Sequence, residues 1–323
     1  HVAILDRLNN YDEEKVDALL NQISLGIDEA TNHNSKITSK VRVLDGSTFS
    51  FSFSRTGDEL AKVGSGGTGK SSAGSSKSMM KLGLVSTASN FIAINWQFSD
   101  DYDDNQIFRD LVDWSKEGYT YVIDRGNVAV DYLKKFADNK IYFIQKTYEK
   151  HTFDKLWSKK LPVTSRVLGR FDLKEELRGW ILRKDGVKVK VRRILAFDEN
   201  NKEMISLTTN DLTSPNHVIV KRHTKRWDIE VIFDWLKNTL GPNDDHKLTQ
   251  WKRLAALRNL IRIWLMLLSL LCAYAKKRFG AKWRVPGRFS LGDVIRFYAD
   301  QLGRWLEGKL GLRGRHHKSK MGR

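Results

Sequence analysis

Three acidic side chains stand where an ionised carboxylate is expensive. Asp45 lies in VRVLDGST, Asp124 ends the apolar run YTYVID, and Glu230 lies in KRHTKRWDIEVIFDWLK. A carboxylate set in an apolar strand needs a cation, an ion pair or a cap, so each of the three is a candidate metal ligand or a turn acid. On a helical wheel with His223 at zero, Arg226 falls at about 300°, Glu230 at about 340° and Lys237 at about 320°. One carboxylate framed by two cations and an imidazole would bring metal-ligating charge beside phosphates. Ordinary i,i+4 pairing on a solvated face would give the same spacing for Arg226 and Glu230.

The elements that must position these groups follow from the apolar pattern. Residues 11–27 place Val16, Leu19, Leu20, Ile23 and Ile27 at helical spacing, with acids in the first turn. Over 39–53 the period changes, and Val41, Val43, Phe49, Phe51 and Phe53 alternate as in a strand. Residues 79–85 and 90–98 read as two further strands, and 99–118 as a helix whose acidic start suits the helix dipole. YTYVID is a short strand, a helix follows at about 127–138, and IYFIQK is another strand. Asp124 therefore ends the fourth strand of an α/β pattern.

From 147 to 208 the chain turns basic, and GWILRKDGVKVKVRRILAF alternates like a hairpin around Asp185-Gly186. This stretch reads as a β-rich insertion. Beyond 215 the pattern is helical, with Ile229, Ile232, Phe233 and Leu236 forming an apolar face beside the arc that holds Glu230. The expected division is an N-terminal helical segment (1–38), a first part of the core (39–146), the insertion (147–208), a second part of the core (209–280) and a basic C-terminal region (281–323).

Of the 323 residues, 56 are Lys or Arg and 38 Asp or Glu, a formal net charge of +18. The excess is uneven: residues 1–124 carry 12 basic and 18 acidic side chains, residues 125–323 carry 44 and 20. An acidic front and a basic back suggest a carboxylate site served by a separate polyanion-binding surface. The single cysteine leaves no disulfide framework and fits a reducing compartment such as the cytoplasm. HVAILDRLNN lacks the basic flank and apolar run of a signal peptide, and a start at His1 rather than Met suggests a fragment or trimmed product. The greasiest run, IWLMLLSLLCAYA (263–275), is 13 residues long, short of the roughly 20 a membrane span needs. A buried core helix is expected there.

Residues 64–71, GSGGTGKS, match the G-x-x-x-x-G-K-[ST] phosphate loop. That loop works only between a buried strand and a helix N-terminus. RTGDELAKV before it is no buried strand, and SAGSSKS after it is a poor helix start. A hairpin loop carrying Lys62, Lys70 and Lys77 is expected instead, with no nucleotide site.

The residues resemble the DDE transposases of bacterial and archaeal insertion sequences, in the branch marked by a Tyr-Arg-Glu-Lys signature. His223, Arg226, Glu230 and Lys237 keep every interval of that signature, with His in place of Tyr, and RWDIEVIFDWLK is similar to its core. LDGST around Asp45 and VIDRG around Asp124 are similar to the first and second Asp motifs, and SLTTND (206–211) also fits. The likeness spans roughly residues 39–275.

The resemblance implies a ribonuclease-H-like mixed sheet flanked by helices, with Asp45, Asp124 and Glu230 as catalytic metal ligands. It implies Mg²⁺, replaceable by Mn²⁺, and a reaction that cuts transposon ends and joins them to target DNA. Double-stranded DNA and a homodimer on that DNA are the implied partners, in the cytoplasm at the nucleoid. His223, Arg226, Lys237, Trp227 and Arg125 are the expected DNA contacts, with the His223 contact pH-dependent near neutrality. Trp157, Trp180 and Trp227 are candidates for base stacking, and Arg313, Arg315, Lys318 and Lys320 for nonspecific attraction. A structure-specific nuclease of the same fold and a catalytically idle DNA-binding derivative are the alternatives.

Overall fold

A computed structural model of the chain describes residues 12–32, 40–52, 77–88, 92–99, 104–124, 129–162, 166–183, 185–240 and 254–279. Strand β1 (Val41–Ser52) sits inside the sheet and is covered on both faces. Val41 and Val43 point into one core and Leu44 into the other, so its first four residues read as a near-continuous buried run. Strands β2 (Lys77–Thr87) and β3 (Ala93–Ser99) continue antiparallel from it. Strand β4 (Thr120–Ile123) pairs parallel on its other side, and β5 (Tyr142–Lys146) pairs parallel with β4.

The parallel pairs require crossovers. Helices α2 (Asp104–Leu111) and α3 (Val130–Asp138) lie on the crossovers that lead into β4 and β5, and Phe108, Leu133 and Phe136 share the second core with Leu44, Ile123 and Phe143. Helix α2 stops well short of the expected 118. Asp113 Oδ1 accepts both the backbone N–H and the hydroxyl of Ser115, and such a local turn competes with helix.

The basic stretch supplies β6 (Thr152–Lys160), the short β7 (Arg166–Val167), β8 (Phe171–Leu182), β9 (Lys188–Asp198) and β10 (Glu203–Thr209). Strands β8 and β9 form the expected hairpin, and Gly186, at φ +89°, takes the left-handed turn position. Strand β10 pairs antiparallel with β5 on one side and β9 on the other. The sheet therefore runs β3-β2-β1-β4-β5-β10-β9-β8-β6, with β7 beside β8, and the strands of 147–208 share it with those of the first half.

Helix α4 (Asn216–His223) leads through a 3₁₀ turn (Thr224–Arg226) into helix α5 (Trp227–Leu240). One continuous helix through His223 and Lys237 was the expectation; the 3₁₀ turn interrupts it and changes its angular step. Ile229, Ile232, Phe233 and Leu236 are buried against Val41, Val43 and Phe49 as their spacing requires.

Helix α6 (Leu254–Phe279) packs against α1 (Glu13–Asn32) and β3. Arg262 clasps Asp17 through two hydrogen bonds of 2.6 and 2.8 Å, across 245 residues of sequence. Trp96 on β3 donates to the same carboxylate. Helix α6 is buried on one face only: Leu265, Leu268 and Cys272 are enclosed, whereas Ile263, Leu267 and Leu270 are exposed. The helix expected in the core contributes one face to it and leaves the other exposed. No helix among the described residues is long and apolar enough to cross a membrane.

Candidate active site

Pairing of β1 with β4 sets Leu44 opposite Ile123. The next residues along the two strands are Asp45 and Asp124, so parallel register alone brings two acids side by side where β4 ends. The 3₁₀ turn touches both β1 and β4, and its last residue is Arg226. Four residues later, inside the first turn of α5, comes Glu230.

Arg226 gathers the three acids. Its Nη1 lies 2.5 Å from Glu230 Oε1, 3.7 Å from Asp45 Oδ2 and 3.8 Å from Asp124 Oδ1. One guanidinium nitrogen thus stands at the centre of three carboxylates drawn from two strands and a helix. Asp45 is the most enclosed of the three and Asp124 the most open, with side chains 14% and 42% exposed.

Burial pushes the Asp45 carboxyl up to about 6; the Gly46 N–H, which donates to its Oδ1 at 2.7 Å, works against that shift. Asp124 and Glu230 push it further up and Arg226 pulls it down. Three ionised acids around one guanidinium leave an excess of two negative charges, and all the donors are hard oxygens. Charge and donor chemistry both fit a divalent cation such as Mg²⁺ or Mn²⁺ rather than zinc. Among the described residues no three His, Cys, Asp or Glu side chains are gathered tightly enough to hold an ion as they stand. Here they are spread around Arg226.

The expected DNA contacts divide. Lys237 is half-buried, with its Nζ 5.9 Å from the centroid of the Phe49 ring. Trp227, at the start of α5, is 65% exposed. Arg125 lies outside the described residues, as do the 64–71 loop with Lys62 and Lys70, the Lys77 side chain, and Arg313, Arg315, Lys318 and Lys320. The described residues on either side belong to two paired strands, with Ser52 opposite Lys77, and the first described element after 64–71 is a strand rather than a helix.

His223 departs from its expectation. Helix α4 turns it into the protein along with Ile219 and Val220, and its Nε2 finds no hydrogen-bond partner among the described residues. Burial, then the charges of Arg226 and Lys146, push its pKa down to about 3. The imidazole expected at a phosphate is thus enclosed, and its burial favours the neutral form.

On the same sheet face, an aromatic and cationic strip extends over β6, β8 and β9. Strand β6 carries a bulge between Lys155 and Trp157. The extra residue, Leu156, shifts the register so that Trp157 pairs with Arg178, whose guanidinium lies 5.2 Å from the Trp157 ring centroid. Trp180 is two residues along β8 on that face, with Lys188 Nζ 5.1 Å from its ring centroid. Gly179 makes the close approach possible: a Cβ there would sit 2.0 Å from the Asp154 carbonyl oxygen.

Sequence reasoning missed the charges that anchor α4. Buried Asp211 accepts from the backbone N–H groups of Thr213 and Ser214, and pairs with Arg222 Nη1 at 3.3 Å. That nitrogen also reaches Thr120 Oγ1 on β4 at 3.4 Å. Arg192, fully buried, donates to the Ser214 carbonyl and to Asn216, and Asn216 donates to Glu176. These partners are scattered from 120 to 222, and no local spacing announces them.

A family model for the transposase DDE domain matches residues 37–270. No curated protein matches the chain. Among solved structures, the chain is similar to a piggyBac transposase seen by cryo-EM in a synaptic complex with hairpin DNA, with 10% sequence identity and a TM-score of 0.43. The match covers 87% of this chain and 55% of that one.

Proposed function

The chain belongs to the family of transposase DDE domains, and on that footing we propose that it is a DNA transposase that cleaves transposon ends and joins their 3′-OH groups to target DNA. The observation that carries this reading is the meeting of Asp45, Asp124 and Glu230 around a single nitrogen of Arg226. Asp on the first strand, Asp at the end of the fourth and Glu on a later helix also support a ribonuclease-H-like core.

In this reading Asp45, Asp124 and Glu230 hold divalent cations, with Mg²⁺ preferred and Mn²⁺ accepted. Bound there, a pair of such cations supplies the acidity that activates a water or a 3′-OH and relieves charge on the leaving oxygen. Asp45 lies on a paired strand, Asp124 directly follows one, and Glu230 lies in the first turn of α5, so the backbone carrying each donor is anchored and only the side chains have to close on an ion. Arg226 and Lys237 would neutralise charge on the non-bridging phosphate oxygens. In strand transfer the 3′ oxygen bonds to the target phosphorus as the target's own P–O3′ bond breaks, and the released oxygen takes up a proton. No enzyme nucleophile takes part.

The proposed partner is double-stranded DNA, held mainly by phosphate contacts of the basic half and therefore weakened steeply by salt. Trp227, Trp157 and Trp180 supply exposed or half-exposed rings for unpaired bases. Two ends must be brought together, so a homodimer on DNA is proposed, working at the nucleoid in the cytoplasm.

The test incubates the protein with pre-cleaved DNA carrying the terminal sequences that flank its coding region, a supercoiled target plasmid and Mg²⁺. Joined products are expected. Cleavage without joining would replace the transposase with a nuclease, and binding without chemistry would leave an idle scaffold.

A further inference from the structure

We propose that Arg226 is a resident counter-cation that keeps divalent metal out of the three-carboxylate site until a DNA phosphate draws its guanidinium away, so that metal loading is coupled to DNA binding. The proposal rests on the reading of Asp45, Asp124 and Glu230 as metal ligands. Its own basis is that one nitrogen of Arg226 contacts all three acids at once, at 3.7, 3.8 and 2.5 Å.

A guanidinium and a divalent ion cannot share that centre. Their repulsion at about 4 Å is severe wherever water is partly excluded, and the site is enclosed on the Asp45 side. The carboxylates also stand too far apart to close on an ion as they are placed. Moving Arg226 out would remove both obstacles, the like charge and the spacer.

Arg226 has a way out and somewhere to go. It ends a 3₁₀ turn between two α-helices, and a short 3₁₀ stretch between helical segments is a common hinge. The acid on the open side is Asp124, 42% exposed, and the residue after Arg226 is the exposed Trp227. A phosphodiester entering from that side offers the planar, paired hydrogen-bond acceptors that suit a guanidinium. The exchange is balanced: Arg226 trades carboxylates for phosphate while the cation takes the carboxylates. By linkage, DNA must then raise metal affinity by the factor that metal raises DNA affinity.

The test measures Mn²⁺ binding to the full chain by electron paramagnetic resonance, with and without a DNA duplex and after correction for Mn²⁺ bound by the duplex itself. Without DNA, Arg226→Gln should bind Mn²⁺ about tenfold more tightly than wild type, within the usual range of coupling between sites. Adding duplex should tighten Mn²⁺ binding to wild type by a similar factor and leave Arg226→Gln nearly unchanged. Arg226→Met serves the same comparison should the Gln variant fail to fold. Equal or weaker Mn²⁺ binding by the neutral variants, or equal tightening by DNA in both proteins, overturns the proposal. Glu230→Gln separates the two levels: loss of Mn²⁺ there with no gain in Arg226→Gln sinks only the coupling, whereas Mn²⁺ binding indifferent to Glu230 sinks the metal site itself and the coupling with it.

Discussion

Arg226 and Glu230 face each other across one helical turn with Nη1 2.5 Å from Oε1, yet they belong to different elements. Arg226 ends the 3₁₀ turn and Glu230 lies in the first turn of α5. The i,i+4 contact survives the change of helix type, and through it Arg226 also reaches the two strand acids. A pair that sequence spacing would place on an ordinary solvated face is thereby turned inward.

Crowding of three acids has a cost in the ion-free protein. Asp45→Asn removes the most enclosed charge while keeping an acceptor for the Gly46 N–H. It is expected to stabilise the metal-free protein by roughly 1–3 kcal/mol near pH 7, read as a higher denaturation midpoint, while abolishing strand transfer. A destabilised Asn variant would show that Arg226 more than repays the crowding.

Lys237 and Glu230 should separate binding from chemistry. Lys237→Ala is expected to weaken DNA binding and to lower the slope of log affinity against log salt by about one. Glu230→Gln should leave affinity within a few-fold and eliminate joined product. An unchanged salt slope removes Lys237 from the phosphate contacts, and an active Glu230→Gln removes Glu230 from the chemistry.

His223 predicts the acid limb of stability. Its pKa is about 3 in the fold against 6.5 for the free side chain, so below pH 6.5 the unfolded chain takes up a proton that the folded chain refuses. Stability contributed by the neutral imidazole is full above pH 6.5 and is lost as pH falls toward 3, at up to about 1.4 kcal/mol per pH unit. His223→Gln should flatten urea-denaturation stability between pH 6.5 and 4. An equally steep limb in the variant would assign the loss to other groups.

Gly179→Ala should disturb β6 without touching the acids. The new Cβ meets the Asp154 backbone at 2.0 Å, so the bulge must move or the strand detach, at about 1–3 kcal/mol. Quenching of Trp157 fluorescence by iodide should change with it. An unaltered midpoint would mean that β6 yields freely.

Much of this was legible because the costs are local. An acid in an apolar strand is conspicuous, which is why Asp45 and Asp124 stand out, and the apolar face of α5 is written at helical spacing. Asp185-Gly186 announced its hairpin by turn chemistry. The 3₁₀ turn was not legible, since TKR contains neither Gly nor Pro to mark a break. The pairing of β10 with β5 joins residues some sixty positions apart, and no periodicity encodes a partner. The burial of His223 depends on how α4 seats against the sheet, which buried Asp211 and Arg192 decide together with half-buried Arg222. The need for Gly179 arises only from its neighbour strand.

The clasp between Asp17 and Arg262 spans 245 residues, which makes it a late event in the life of each molecule. At the roughly 5–20 residues per second of protein synthesis, something like ten to fifty seconds separate the emergence of its two halves. Until then helix α1 lacks its main partner, and the strand bearing Asp45 waits for the helix bearing Glu230. Each copy therefore becomes competent only after both halves have been made, long after the strand bearing Asp45 has emerged.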